Sequence, residues 1–529
     1  SPYWVHLRSW KPREVSMDAG TQSEWIEVGG LLDTLNDGQW ILTATPDPRD
    51  AEVRFKAEFA VDDASGHREP IATFACDQPT LRLTYDANLR YTRRIRPYEA
   101  VLDDVLEFLE STPVTGRPPR RMIVYGYTFD PLEGHDAYNQ KIERLVALLG
   151  LARIDRVNHP HLAVPSGYVR PNLGKLDEWL EKWRVEGTTD QIRTVNFGDE
   201  ISLPRPPTDD HPGFREWGRA QGLTPDALGA KTWEDVVYRP TSERADVQPA
   251  AYYYSRRYAQ DYGIARLKEL TDRVKALCPH ADSGANFSPH HGGAGQAYTG
   301  SAHKWITLFR KGGLTMPWSE DYIWQLPVGT PQINFLLVDL FRAGVRYRPG
   351  AQIQMYVMPH WPGNRLDHWR RLWYGNLGSG MQIANLFETR PVQVSYTENY
   401  VNHLPMYAEV RRAIYETAGF ENLVLDGRVR WGNAGLWYSD TGDVWDAHRP
   451  PFGANKRLLY VAIRHQQLAL DVVDEEDALR GTLDGYKVLY LCDSHVSDQA
   501  SRALTDWVAS GGRLLATAGA GLYNQFNAP

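Results

Sequence analysis

The sequence predicts an α/β protein in three parts: a (β/α)8 TIM barrel, a β-sandwich before it and a flavodoxin-like α/β domain after it. Three observations predict this. Short alternating runs separated by turn residues fill roughly the first 110 positions. Strand-then-helix units recur from Arg121 to about residue 390. A second strand–helix pattern begins after about residue 405. The parts read as 1–115, 120–400 and 405–529. A chain of 529 residues is too long for a single hydrophobic core, which stops growing beyond roughly 250–300 residues.

In the first part, Trp40-Ile41-Leu42-Thr43-Ala44, Val53-Arg54-Phe55-Lys56-Ala57 and Leu81-Arg82-Leu83-Thr84-Tyr85 alternate as half-buried strands do, which suggests a sandwich. The stretch Ser111-Thr112-Pro113 to Pro118-Pro119 reads as a linker. The second part opens with Met122-Ile123-Val124-Tyr125-Gly126-Tyr127, a strand of the type buried on both faces. A helix over 136–149 follows, with Ile142, Leu145, Val146 and Leu149 on one side. A stretch of about 270 residues suits a (β/α)8 barrel. The strands before Gln191 are the least distinct. In the third part, Arg457-Leu458-Leu459-Tyr460-Val461-Ala462 and Val488-Leu489-Tyr490-Leu491 read as strands. A helix over 497–510 and the strand Arg513-Leu514-Leu515-Ala516-Thr517 continue a doubly wound layer. The glycines Gly519 and Gly521 lack the GxGxxG spacing of a dinucleotide site.

Composition narrows the function. The net charge is −8, from 58 basic and 66 acidic residues, which argues against a nucleic-acid partner. No apolar run approaches the roughly 20 residues that span a bilayer, so no membrane partner is expected. The N-terminal Ser1-Pro2-Tyr3-Trp4 shows no signal-peptide pattern, and secreted, periplasmic and cytoplasmic locations all stay open. Cys76, Cys278 and Cys492 lie too far apart for a zinc cluster or a disulfide framework. Neither a metal nor any other cofactor is expected. The 18 Trp, 28 Tyr and 15 Phe residues offer platforms for the apolar faces of sugar rings, though aromatics also fill cores.

From about Gln191 onward, ordered segments resemble the family-42 β-galactosidases. Val195-Asn196-Phe197-Gly198-Asp199-Glu200 looks like the fourth barrel strand, which in this clan ends in Asn-Glu. Phe214-Arg215-Glu216-Trp217, Gly222 to Leu228 and Trp233 are similar to the segment that follows it. A helix from about Tyr252 to Cys278 leads to Ser283-Gly284-Ala285-Asn286-Phe287 as a fifth strand. Leu314 to Tyr322 looks like the sixth. The tail, with Tyr486 to Tyr490 and Trp507 to Leu514, is similar to the family's trimerisation domain, so the resemblance implies a homo-oligomer, a trimer. Two features depart from the family. The strand-seven stretch Gln352 to Trp361 carries no carboxylate where the family has its nucleophilic Glu, and the Asn before the acid/base is Asp199 here. The family's cysteine-rich zinc cluster finds no match.

Glycoside hydrolysis uses two carboxyl groups, one to protonate the leaving oxygen and one to attack or to activate water. In a barrel both stand at the C-terminal strand ends. Glu200 fits the acid/base role, with Asp199 beside it; the plain alternative is that the pair caps the next helix or pairs with Arg205. For the second carboxylate the candidates are Glu320, between Trp318 and Tyr322, and Glu388, after the putative eighth strand Met381 to Phe387. Asn286, His290, Trp318, His360 and Trp361 join Asp199 and Glu388 as candidate substrate-binding residues on position, with core packing or plain loop histidines as the alternative. The reading is a glycoside hydrolase acting on a glycan, with Glu200 and Glu320 catalytic. The rivals are a carbohydrate-binding protein on the same scaffold that has lost catalysis and an enzyme of another reaction type, such as a lyase or transglycosidase, and fold-level analogy does not separate them.

Overall fold

In this computed structural model the described residues are 25, 37–43, 55–62, 68–76, 80–86, 98–126, 134, 136–152, 158–159, 173–198, 201–241, 247–287, 302–320, 331–359, 365–387, 389, 404–446 and 450–529. The N-terminal part contributes two antiparallel pairs. Strand β1 (Asp37–Thr43) pairs with β4 (Thr80–Asp86), and β2 (Phe55–Asp62) pairs with β3 (Arg68–Cys76). Helix α1 (Tyr98–Ser111) then leads into the central part.

The central part is a ring of short parallel strands. Strand β5 (Ile123–Gly126) pairs with β11 (Ile383–Leu386), β11 with β10 (Gln354–Tyr356), and β10 with β9 (Trp318–Ser319). A parallel bridge from Trp318 to Asn286 carries the ring on to β8 (Asp282–Gly284), then β7 (Thr194–Asn196) and β6 (Asn158–His159). The Ala152 N–H donates to the Val124 carbonyl at 2.7 Å, which lays the chain leading to β6 against β5. Among the described residues the ring thus has seven strands where the pattern predicts eight. The strands that the family resemblance numbers four to eight are β7 to β11, in that spatial order.

Helices alternate with these strands: α2 (Asp136–Leu149), α3 (Leu173–Glu186), α4 (His211–Ala220), α5 (Pro249–Leu277), α6 (Pro331–Val345), α7 (Leu366–Ser379) and α8 (Leu404–Ala418). Between β8 and β9 the chain makes a π-helical segment, His303–Thr307, that runs into the short helical turn Leu308–Arg310. Period-two alternation sorts the strand residues. Val124, Met355, Ala384 and Leu386 join the main core beneath the helices, while Tyr125, Met316, Trp318 and Ile383 form a separate cluster inside the ring. Gly284 makes room for that filling, because a Cβ there would lie 3.0 Å from the Trp318 ring and 2.9 Å from the Met316 carbonyl. The Phe214–Trp217 motif belongs to a satellite core, where Phe214 packs with Trp217, Tyr238 and Tyr258.

Helix α9 (Glu421–Asp426) follows α8 and ties the start of β5. The buried Glu421 carboxylate accepts from the N–H groups of Arg120, Arg121 and Met122 and from the Arg117 guanidinium. Burial opposes its ionisation, but the Met122 and Arg121 N–H groups, Arg117 and Arg120 outweigh burial and bring its pKa down to about 2. A depressed pKa adds stability above the unfolded-state value near 4.5, and that stability is lost as pH falls through the folded value. The difference corresponds to about 3 kcal/mol. We expect Glu421→Gln to lower the urea midpoint at pH 6 and to have little effect near pH 2. Parallel midpoint–pH curves for the two proteins would remove this role.

The C-terminal part is a parallel sheet of β12 (Ala434–Trp437), β13 (Leu470–Val473), β14 (Val488–Leu491) and β15 (Arg513–Ala516), in the order 13-12-14-15. It carries α10 (Asp440–Asp446), α11 (Pro450–His465), α12 (Glu475–Leu479) and α13 (Asp498–Ala509). One expectation is corrected here. Arg457 to Ala462 is not a strand but the middle of α11. Tyr460 and Val461 are buried while Leu458 is 48% exposed. A short apolar run reads the same for a buried strand and for a buried helix, and the residues around it, from Pro450 to His465, decide for the helix. Cys278 and Cys492 are free and buried. No described helix is long and apolar enough to cross a membrane.

Candidate active site

The C-terminal ends of the ring strands converge on a polar floor above the Trp318 cluster. Asn196, Asn286, Glu320 and Asn385 come from four of these strands or the residues just after them, and all are buried; Gln354, also buried, starts β10 one layer lower, level with Trp318. Glu320 follows β9 directly and is 4% exposed; its Oε2 accepts from Asn286 Nδ2 at 3.1 Å. Asn385 Nδ2 donates to the Tyr125 hydroxyl at 3.2 Å across the β11–β5 pair. The Ser319 hydroxyl donates to the Phe287 carbonyl at 2.7 Å, which locks the end of β9 to the residue after Asn286. Tyr356 stacks on Phe387 at 5.7 Å and 13° at the ends of β10 and β11.

The backbone at the end of β7 is tied to the same asparagine. Phe197 N–H donates to the Gly284 carbonyl at 2.8 Å, and Asn286 N–H donates to the Gly198 carbonyl at 3.1 Å. The Ile201 N–H then donates to the Asn286 carbonyl at 3.2 Å. Gly198 turns at φ 145°, a conformation that only glycine adopts easily, and its N–H is capped by Asn196 Oδ1 at 2.9 Å. Asn286 therefore holds the residues on both sides of the Asp199–Glu200 pair through its main chain, and Glu320 through its side chain.

Of the residues singled out in the sequence, the structure brings Asn286, Trp318 and Glu320 together. Asp199, Glu200, His290, His360, Trp361 and Glu388 lie outside the described residues. His159 ends β6. Sequence reasoning passed over Tyr125, Gln354 and Asn385. Their positions, in or at the end of a buried strand, were the available signal, and the in-register pairing of Gln354 with Trp318 and of Tyr356 with Asn385 makes it plain.

No protein-family model matches this chain, and no curated protein matches it. Solved structures do. A β-galactosidase from Rahnella sp. R3 superposes with a TM-score of 0.53 at 14% identity, over 82% of this chain and 71% of that one. A GH42 β-galactosidase from G. stearothermophilus gives 0.53 at 14%, over 81% and 70%. An exo-carrageenase of GH42 from Bacteroides ovatus gives 0.50 at 8% identity, over 80% and 61%. The chain thus has a fold like that of the family-42 glycoside hydrolases.

Proposed function

We propose that this protein is a glycoside hydrolase whose glycan substrate sits at the C-terminal strand ends of the barrel, with Glu200 as general acid/base and Glu320 as the second carboxylate. One observation carries the reading: Glu320 is a buried carboxylate at a strand end, held by Asn286, whose main chain also brackets the Asp199–Glu200 pair. A barrel enzyme places its chemistry at that end, and a buried, hydrogen-bonded carboxylate there is a candidate for it. The fold leaves the sugar open, since the neighbours with this fold include both β-galactosidases and an exo-carrageenase. Asp199, His290, Trp318, His360, Trp361 and Glu388 are the proposed further substrate contacts.

The first test is release of nitrophenol from a panel of nitrophenyl glycosides, followed by the same assay on Asn286→Ala. The Asn286 side chain holds the Glu320 carboxylate, so its truncation should lower kcat about 10- to 100-fold while KM changes little. Unchanged kcat would detach Asn286 from the site. A second reading, a glycan-binding protein without catalysis, is favoured by the end of β10. There Gln354-Met355-Tyr356-Val357-Met358-Pro359 offers no carboxylate where the family resemblance puts a nucleophile. Binding of an oligosaccharide by calorimetry, with no product after long incubation, would establish that reading instead.

The C-terminal sheet is proposed to be a flavodoxin-like trimerisation unit, and the N-terminal strand pairs part of a sandwich. Light scattering at micromolar concentration should then give three times the monomer mass; a monomer would refute the assembly.

A further inference from the structure

The C-terminal sheet meets the barrel along α6 and the residues after it, where Arg342 pairs with Asp471 and Arg346 with Tyr486, and at a further short segment, Ala302 to Arg310, whose side-chain partners across the junction are acidic. The Ala302 N–H donates to Asp443. The Thr307 hydroxyl donates to Asp440 Oδ2 at 2.5 Å, and that oxygen also accepts from Arg257 of α5 at 3.0 Å. Arg310, whose side chain is 4% exposed, donates to Asp474 at 2.7 Å and to both oxygens of Asp477 at 3.0 Å. Asp440 follows β12 closely and Asp474 follows β13 directly, so these acids stand at the carboxyl ends of the sheet. In doubly wound sheets that edge is where a ligand binds; here it takes a piece of the barrel. Burial opposes charge on Asp440, but Arg257, His303 and Thr307 outweigh it and hold the carboxyl below its usual range.

The clamped segment leads to the candidate site. It is π-helical over His303–Thr307, a rare form that recurs at functional sites. Trp305, fully buried in it, meets the Phe287 ring edge-on at 6.2 Å and 71°. Phe287 follows Asn286, and its carbonyl is held by Ser319, the residue before Glu320. A continuous path of packed and hydrogen-bonded groups thus runs from the four acids through Trp305 to the Asn286–Glu320 pair.

We propose that the C-terminal α/β unit is a positioning element of the barrel site: its strand-end acids grip Ala302–Arg310 and, through Trp305 and Phe287, set the geometry of Asn286 and Glu320. This rests on the glycosidase reading only where the readout is activity. The grip costs no contact with substrate, so its loss acts on turnover rather than on binding.

The experiment uses the full chain with Thr307→Val, Asp440→Asn and Trp305→Phe, and with Leu504→Ala as a control that loosens the C-terminal core away from the clamp. Two quantities are read: turnover of whichever nitrophenyl glycoside the wild type cleaves fastest, and amide hydrogen exchange of 282–287. The clamp variants should lose about tenfold in kcat with KM within about twofold, and should exchange faster over 282–287. Leu504→Ala should lower the melting temperature with kcat and that exchange unchanged. Normal kcat and exchange in Thr307→Val and Asp440→Asn would overturn the proposal, as would an equal loss of kcat in the control. If the wild type cleaves no glycoside in the panel, the hydrolase reading falls, and exchange over 282–287 alone decides for or against the clamp.

Discussion

Glu200→Gln should leave the fold intact and abolish hydrolysis. The change removes one ionisable proton and almost no volume. Loss of a positioned general acid costs on the order of 10²–10⁴ in rate, about 3–5 kcal/mol of barrier. The residues on either side of the Asp199–Glu200 pair are pinned to the Asn286 main chain, so a neutral isostere should not shift the backbone there. Activity near the wild-type level on any glycan that the parent cleaves would end the assignment. An additional check separates the acid role from a binding role. A substrate with a good leaving group, such as a dinitrophenyl glycoside, needs little protonation, so the variant should recover part of its rate on it.

Glu320→Ala should be as damaging as Glu200→Gln, and the double variant should be little worse than either. Two groups that act as a unit on one bond are strongly non-additive. The structural case is specific. The end of β10 carries no carboxylate, and the neighbouring strand end does, buried and held by an amide donor. A side chain from β9 can serve the same anomeric carbon or hold a water beneath it. The spacing between the Glu320 and Glu200 carboxyls would then tell the chemistry: about 5–5.5 Å for retention, about 6.5–9.5 Å for inversion. A separation beyond about 12 Å fits neither and would move the role to Glu388. Additive losses in the double variant would show that the two residues do not share a step.

Much of this was legible along the chain because the signals are local. The helix expected around 136–149 is α2, since a 3.6-residue apolar repeat places Ile142, Leu145 and Leu149 on one buried face. The strand after Arg121 and the helix–strand pair α13–β15 follow from equally local apolar patterns, while the long helix α5 was expected from the family resemblance. The run from Arg457 to Ala462 misled because five apolar residues are too few to distinguish the two periods. Glu320 was visible as an acid beside two aromatics at a strand end. Asn286 was visible from its position in the putative fifth strand, as a candidate for substrate binding, and not as the partner of Glu320.

What the sequence alone determined is therefore the parallel α/β class, the order of the elements and the short set of carboxylates worth testing, because hydrophobic periodicity and strand-end position are properties of neighbours in the chain. What only the tertiary structure decided is which of them meet. The Asn286–Glu320 bond joins residues 34 apart, Tyr125–Asn385 joins residues 260 apart, and the Arg310–Asp477 clamp joins residues 167 apart. The approach of the chain leading to β6 onto β5 depends in the same way on the Ala152–Val124 bond. Such contacts leave no periodic mark, since a buried polar group records only that it needs a partner, and closure of the ring supplies the partner.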